Sequence, residues 1–114
     1  MAILKMICHA EASEANIHRV QEELKHHPFA DGELLECVPY WKAQSMRELT
    51  FQINSAERVG RGLWETLFSA IAGEWTSIVG QDSLDMIHAS TMQEVEKDHR
   101  AFFATLYVDG EEFD

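Results

Sequence analysis

The chain has 114 residues, with 20 Asp and Glu against 9 Lys and Arg for a formal net charge of −11, and 46% of it is hydrophobic. That length makes one domain, expected over 1–110 with 111–114 as an acidic frayed tail, and it buries roughly two thirds of its unfolded surface, so a core needs no metal or disulfide. The acid excess disfavours nucleic acid and anionic membrane, since phosphates are held by Lys and Arg, and it suits a basic partner.

Met1-Ala2-Ile3-Leu4-Lys5 leads straight into a strand pattern with no cleavage site, and no apolar run approaches the roughly 18 residues of a membrane span. A cytoplasmic chain is the expectation. Cys8 and Cys37 both lie in apolar runs and read as buried free thiols, a disulfide or reactive thiol being the alternative.

Ala2 to His9 reads as a strand with Leu4, Met6 and Cys8 on one face and Ile3 and Ile7 on the other. Apolar residues on both faces point to a central strand covered twice, or to a face that meets a partner. Ser13 is the expected N-cap of a helix in which Ile17, Val20 and Leu24 share a face. His26-His27-Pro28 ends it, because the residue before proline avoids the helical region. Asp31-Gly32 signals a turn.

Glu33 to Ala43 reads as a strand, with Leu35, Cys37, Pro39 and Trp41 on one face and Leu34, Val38 and Tyr40 on the other. Pro39 cannot donate to a ladder and so marks an edge or a bulge. After a break at Gln44-Ser45, Leu49, Phe51 and Ile53 alternate with Glu48, Thr50 and Gln52 over Met46 to Asn54, a strand with one face wet. The two strands are expected to pair as a hairpin.

Ser55 is the expected cap of a second helix carrying Val59, Leu63, Leu67 and Ile71, flanked by Trp64 and Phe68. Gly60 and Gly62 weaken its first turns. Gly73 ends it, or Trp75, Ile78 and Val79 extend it to Gly80. Ser83 to Ser90 reads as a strand, Met92 to Arg100 as a loop or short helix, and Ala101 to Val108 as a last strand before Asp109-Gly110. Element order predicts an α+β, ferredoxin-like split β-α-β antiparallel sheet with two helices on one face and an extra C-terminal strand.

Catalytic motifs are weak. His26 and His27 are adjacent and diverge, whereas helical metal pairs sit three or four apart. His9 and His88 approach each other only if their strands pair. Glu65 and Asp85 are the acids best placed for burial, but a solvated outer face is the expected reading of both. Arg58-Val59-Gly60-Arg61-Gly62 lies near a helix start yet matches no phosphate-binding spacing. No cofactor and no enzymatic role follow from these residues.

Tyr40, Trp41, Trp64, Phe68 and Trp75 are core or interface aromatics. Consecutive strand residues face opposite ways, so one of Tyr40 and Trp41 leaves the core. Glu33, Glu36 and Glu48 supply an acidic rim beside them.

In overall character the chain resembles the small acidic cytoplasmic immunity proteins of bacterial contact-dependent growth inhibition and polymorphic-toxin systems. The likeness spans the whole chain, with Ser13 to Leu24, Arg47 to Ile53 and Val59 to Ile71 as elements. It implies a partner, a cognate basic toxin domain such as a nuclease, neutralised by occlusion. Glu33, Glu36, Glu48 and Asp85 are the candidate contacts, with Tyr40 and Trp41 as anchors, and the protein is expected as a monomer or homodimer. In element order the chain is also similar to dimeric α+β barrel proteins and small monooxygenases, which hold a small molecule. A third expectation is an adaptor within a larger complex.

Overall fold

The computed structural model describes residues 2–27, 30–55, 61–72, 76–79, 83–89 and 103–109. Its strands are β1 (Ala2–His9), β2 (Ala30–Pro39), β3 (Met46–Ser55), β4 (Thr76–Val79), β5 (Ser83–Ala89) and β6 (Phe103–Asp109). Its helices are α1 (Ser13–His26), entered through a short 3-10 turn at Ala10–Ala12, and α2 (Arg61–Ala72). The strands form one antiparallel sheet in the order β2-β3-β1-β6-β5-β4. The fold is α+β.

Alternation builds the core. Side chains two apart on a strand share a face, and the register lines up three rows across β6, β1 and β3. These are Val108–Ala2–Ile53, Leu106–Leu4–Phe51 and Ala104–Met6–Leu49, all buried. Val20 and Leu24 of α1 and Trp64 and Leu67 of α2 close over the rows in one cluster. Both helices therefore cover the same face. Truncating a side chain such as Leu67 or Trp64 to alanine would cost about 2–5 kcal/mol.

Several expectations are corrected. Ser13 is not the cap of α1 but its first residue; Ala12 precedes it, and the Ser13 hydroxyl donates back to the Ala10 carbonyl at 2.7 Å. The 3-10 turn uses the residues that would otherwise have led to a serine cap. Buried Asn16 is satisfied within the helix, donating to the Ala12 carbonyl at 3.0 Å and accepting from Arg19 at 2.9 Å. The helix ends at His26, as Pro28 requires.

Asp31-Gly32 lies inside β2 rather than in a turn. What glycine supplies at 32 is space: a Cβ there would stand 2.5 Å from Leu24 Cδ1 and 3.5 Å from Ile53 Cγ1. Strand β2 also stops at Pro39, leaving Tyr40 to Ser45 as the connection to β3. A bulge between Leu34 and Glu36 shifts the alternation. Leu34 consequently joins Cys37 against the core, and Leu35 turns outward. Pro39 does sit on an edge strand.

Ser55 is the last residue of β3, paired with Ala30, and residues 56–60, where its expected cap would act, lie outside the described residues. Of the expected helical stripe, Leu67 is buried with Trp64 while Leu63 is half exposed, so the inward face is turned toward Trp64. Val59 and Gly60 lie outside the described residues, as do Met92 to Arg100 and the tail. Thr76 to Val79 forms a strand instead of extending the helix, in keeping with β-branched Thr76, Ile78 and Val79. Among the described residues no helix is long and apolar enough to cross a membrane.

Candidate interaction surface

The face of the sheet opposite the helices is the candidate site. Antiparallel register places its residues in rows that run across the strands. One row is Glu33, Gln52, Ile3, Tyr107 and Asp85; the next is Glu36, Thr50, Lys5, Thr105 and Ile87; a third is Val38, Glu48, Ile7, Phe103 and Ala89. None of the described helices lies over these rows.

Of the four acids expected as contacts, Glu33, Glu36 and Glu48 fall on this face, and Asp85 shares the backbone register row of Glu33. Glu33, Glu36 and Glu48 gather on the β2–β3 half, joined by Asp31 opposite Asn54. Asp85 occupies the matching row position on β5, four strands from Glu33, or about 19 Å at the usual strand spacing. Lys5 is the cation in the middle of the described rows. The face is therefore acidic toward β2.

Apolar residues flank the Lys5 row on both sides, and they were not singled out from sequence as a group. They are Ile3, Ile7, Phe103, Tyr107 and Val38, with Phe103 37%, Val38 40% and Tyr107 44% exposed. Ile3 and Ile7 did carry the signal, as apolar residues on the second face of a strand. The contribution of β6 depended on which strand lies beside β1, which alternation alone leaves open.

Two buried polar atoms on this face lack hydrogen-bond partners. Thr50, opposite both Lys5 and Glu36, is only 8% exposed and its Oγ1 is unpaired. His9 Nε2 is likewise unpaired, at the end of β1 opposite Met46. A buried unpaired polar atom costs about 1–3 kcal/mol.

Tyr40 and Trp41 follow β2 directly, in the connection to β3. Tyr40 N donates to Met46 O at 2.9 Å, Ala43 N to Tyr40 O at 3.2 Å, and Met46 N to Ala43 O at 3.0 Å. The connection is thus two successive tight turns. A fourth bond, Ala10 N to Ser45 O at 2.9 Å, ties it to the end of β1. From this pinned tip Trp41 projects 81% exposed, its ring 6.2 Å from that of Tyr40 and tilted by 56°. Tyr40 is half-buried.

Other sequence candidates separate. The strands of His9 and His88 do not pair, because β6 lies between β1 and β5. Glu65 is on α2 and Asp85 on β5. Arg58 lies outside the described residues. Among the described residues no group of three metal-ligating side chains converges.

Cys8 and Cys37 are both free. They sit on β1 and β2 with β3 between them and are offset by two residues along it, about 12 Å apart in backbone and beyond the reach of a disulfide. Burial pushes the Cys8 thiol up from its ordinary value of 9.0, with Ser13 and Asn16 acting weakly the other way. It stays protonated and is a poor nucleophile.

What this arrangement can do chemically is bind: it offers exposed apolar residues, an acidic half and a rigid aromatic anchor. No protein-family model, curated protein or solved structure matches the chain.

Proposed function

We propose that the chain is an immunity protein that neutralises a basic toxin domain by laying its open sheet face over that domain's active site. The observation that carries this is the placement of Glu33, Glu36 and Glu48 with the exposed Val38, Phe103 and Tyr107 on a face the described helices leave uncovered, Asp85 standing at the register position of Glu33 on β5. Interfaces favour that composition, aromatic and aliphatic residues with polar ones beside them. Opposite charges also speed encounter, which suits an inhibitor that must act before the toxin does. An enzyme that handles nucleic acid must present Lys and Arg, and these carboxylates meet them. The free cysteines agree with the cytoplasm, where such a protein would work.

In the same reading the sheet is a ferredoxin-like core, β2-β3-β1-β6, with β4 and β5 added at the β6 side. The support is that β1, α1 and β2 form a crossover split by β3, and that β6 takes the remaining place beside β1.

The test is capture followed by rescue. The tagged chain is used as bait in lysate of the producing bacterium at low and then moderate salt. A basic C-terminal domain of a large secreted protein should be retained, and co-expression should relieve its toxicity. Retention without rescue refutes the proposal.

A second reading rests on the exposed apolar residues themselves: two copies stack these faces and enclose a small molecule. The chain's net charge of −11 opposes it. Native mass spectrometry separates the two, since a homodimer with added ligand mass fits only the second.

A further inference from the structure

We infer that the exposed ring of Trp41 is a seat for a cationic side chain of the partner, an arginine guanidinium above all, and that Lys42 holds this seat in the free protein. The inference rests on the binding role proposed above and names the partner chemistry at one point of the surface. Lys42 Nζ lies 4.9 Å from the centroid of the Trp41 ring. That is within the roughly 6 Å over which an aromatic face attracts a cation. The ring therefore already displays the interaction, with a cation tethered one residue away.

Three features make the seat suited to an outside cation. Trp41 is 81% exposed, so the ring is open to approach. Its backbone is fixed by the bonds at Tyr40, Ala43, Met46 and Ser45, so little freedom is lost on docking. Glu48 lies on β3 just past the connection, opposite Val38, so the strand leading from this tip carries a carboxylate at its near end.

Arginine has the advantage over the resident lysine. A guanidinium is planar, stacks flat on an indole and is less strongly hydrated than an ammonium. Displacing Lys42 returns its charge to water, where it is well solvated. A second copy of this acidic chain is a poor source of the cation, and nucleic acid has none to offer. A basic protein is left as the occupant.

The test follows the Trp41 indole Nε1–H by NMR in the whole chain, its signal assigned by its loss in Trp41→Phe. The probes are tetra-arginine amide, tetra-lysine amide and uncharged tetra-citrulline amide. Tetra-arginine should shift the indole saturably, tetra-lysine more weakly, and tetra-citrulline not at all. Lys42→Ala should tighten tetra-arginine binding about two- to fivefold. Lys25→Ala, the same charge change on α1, should tighten it less. Trp41→Leu should weaken it about two- to fivefold or more while the fold, read by the remaining amide spectrum, is kept.

If tetra-arginine moves the amides of Glu33, Glu36 and Glu48 but leaves the indole still, the seat is refuted while the acidic surface stands. Equal effects of Lys42→Ala and Lys25→Ala also refute it, since net charge then explains both. No saturable shift at the indole with any cationic probe refutes it too. If the indole responds as described but co-expression rescues no toxin, the seat stands and the immunity reading falls.

Discussion

Replacing Gly32 with alanine puts a methyl group where β2 passes under α1. The added Cβ would lie 2.5 Å from Leu24 Cδ1, well inside contact distance, and 3.5 Å from Ile53 Cγ1. Leu24 Cδ1 is the end of a flexible side chain that otherwise packs in the core, so it must turn aside and give up part of that packing. Overpacking of this kind costs about 1–3 kcal/mol. Alanine recovers about 0.4–1 kcal/mol by restricting the unfolded chain. The net expectation is a loss of about 1–2 kcal/mol, a fall of several degrees in Tm for a domain of this size.

Urea unfolding followed by circular dichroism would measure it. The decisive comparison is the same substitution in a Leu24→Ala background. Leu24→Ala alone should cost about 2–5 kcal/mol by opening a cavity. In that background Gly32→Ala removes the clash and fills part of the space, so it should be neutral or stabilising. A coupling of about 1–2 kcal/mol between the two sites is expected. If Gly32→Ala is neutral or stabilising in the native background, the close approach is refuted, and a turn at Asp31-Gly32 becomes the better account.

Trp64→Ala should cost about 3–5 kcal/mol in the same unfolding assay, whereas Leu63→Ala, at a half-exposed position of the same helix, should stay within about 0.5 kcal/mol. Thr50→Val removes a buried hydroxyl that has no partner and should raise stability by about 1 kcal/mol, read as a higher urea midpoint. Cys8 keeps its proton to a higher pH when folded than when unfolded, so the folded state binds more protons in that range. Its contribution is present below pH 9.0 and is lost as pH rises through the folded value, so urea midpoints should fall above about pH 9 in the parent and less so in Cys8→Ala. The combined Glu33→Lys, Glu36→Lys and Glu48→Lys change should abolish capture of a basic toxin domain while leaving the circular dichroism spectrum unchanged. Retained capture would remove these acids from the proposed surface.

Much of the architecture was legible locally. Strand β3 could be read from Leu49, Phe51 and Ile53 because one wet face makes the alternation clean. Strand β1 showed apolar residues on both faces, and it is central, with β3 on one side and β6 on the other. Pro39 marked an edge because it has no N–H to give a ladder. Pro28 marked the end of α1 for a similarly local reason. Short-range spacing brought Glu33, Glu36 and Glu48 onto one half of a face through the hairpin, but along β2 only the Glu48 end adjoins Tyr40-Trp41, and Glu33 lies toward the other end.

Other features depended on contacts between elements distant in the chain. Asp31-Gly32 has the composition of a turn, and only the passage of α1 across β2 makes it a strand with a space requirement. The bulge after Leu34 moves the β2 alternation by one residue, which no period-two pattern can anticipate. Which strand lies beside β1 was settled when Ala104, Leu106 and Val108 completed the buried rows with Met6, Leu4 and Ala2. That choice also set Phe103 and Tyr107 next to Ile7 and Ile3 and so assembled the apolar part of the open face. Composition determined that the surface would be acidic and the interior well supplied. Tertiary structure decided where the acids and exposed aromatics meet, because strand order is a matter of long-range pairing and local residue patterns are alike for several orders.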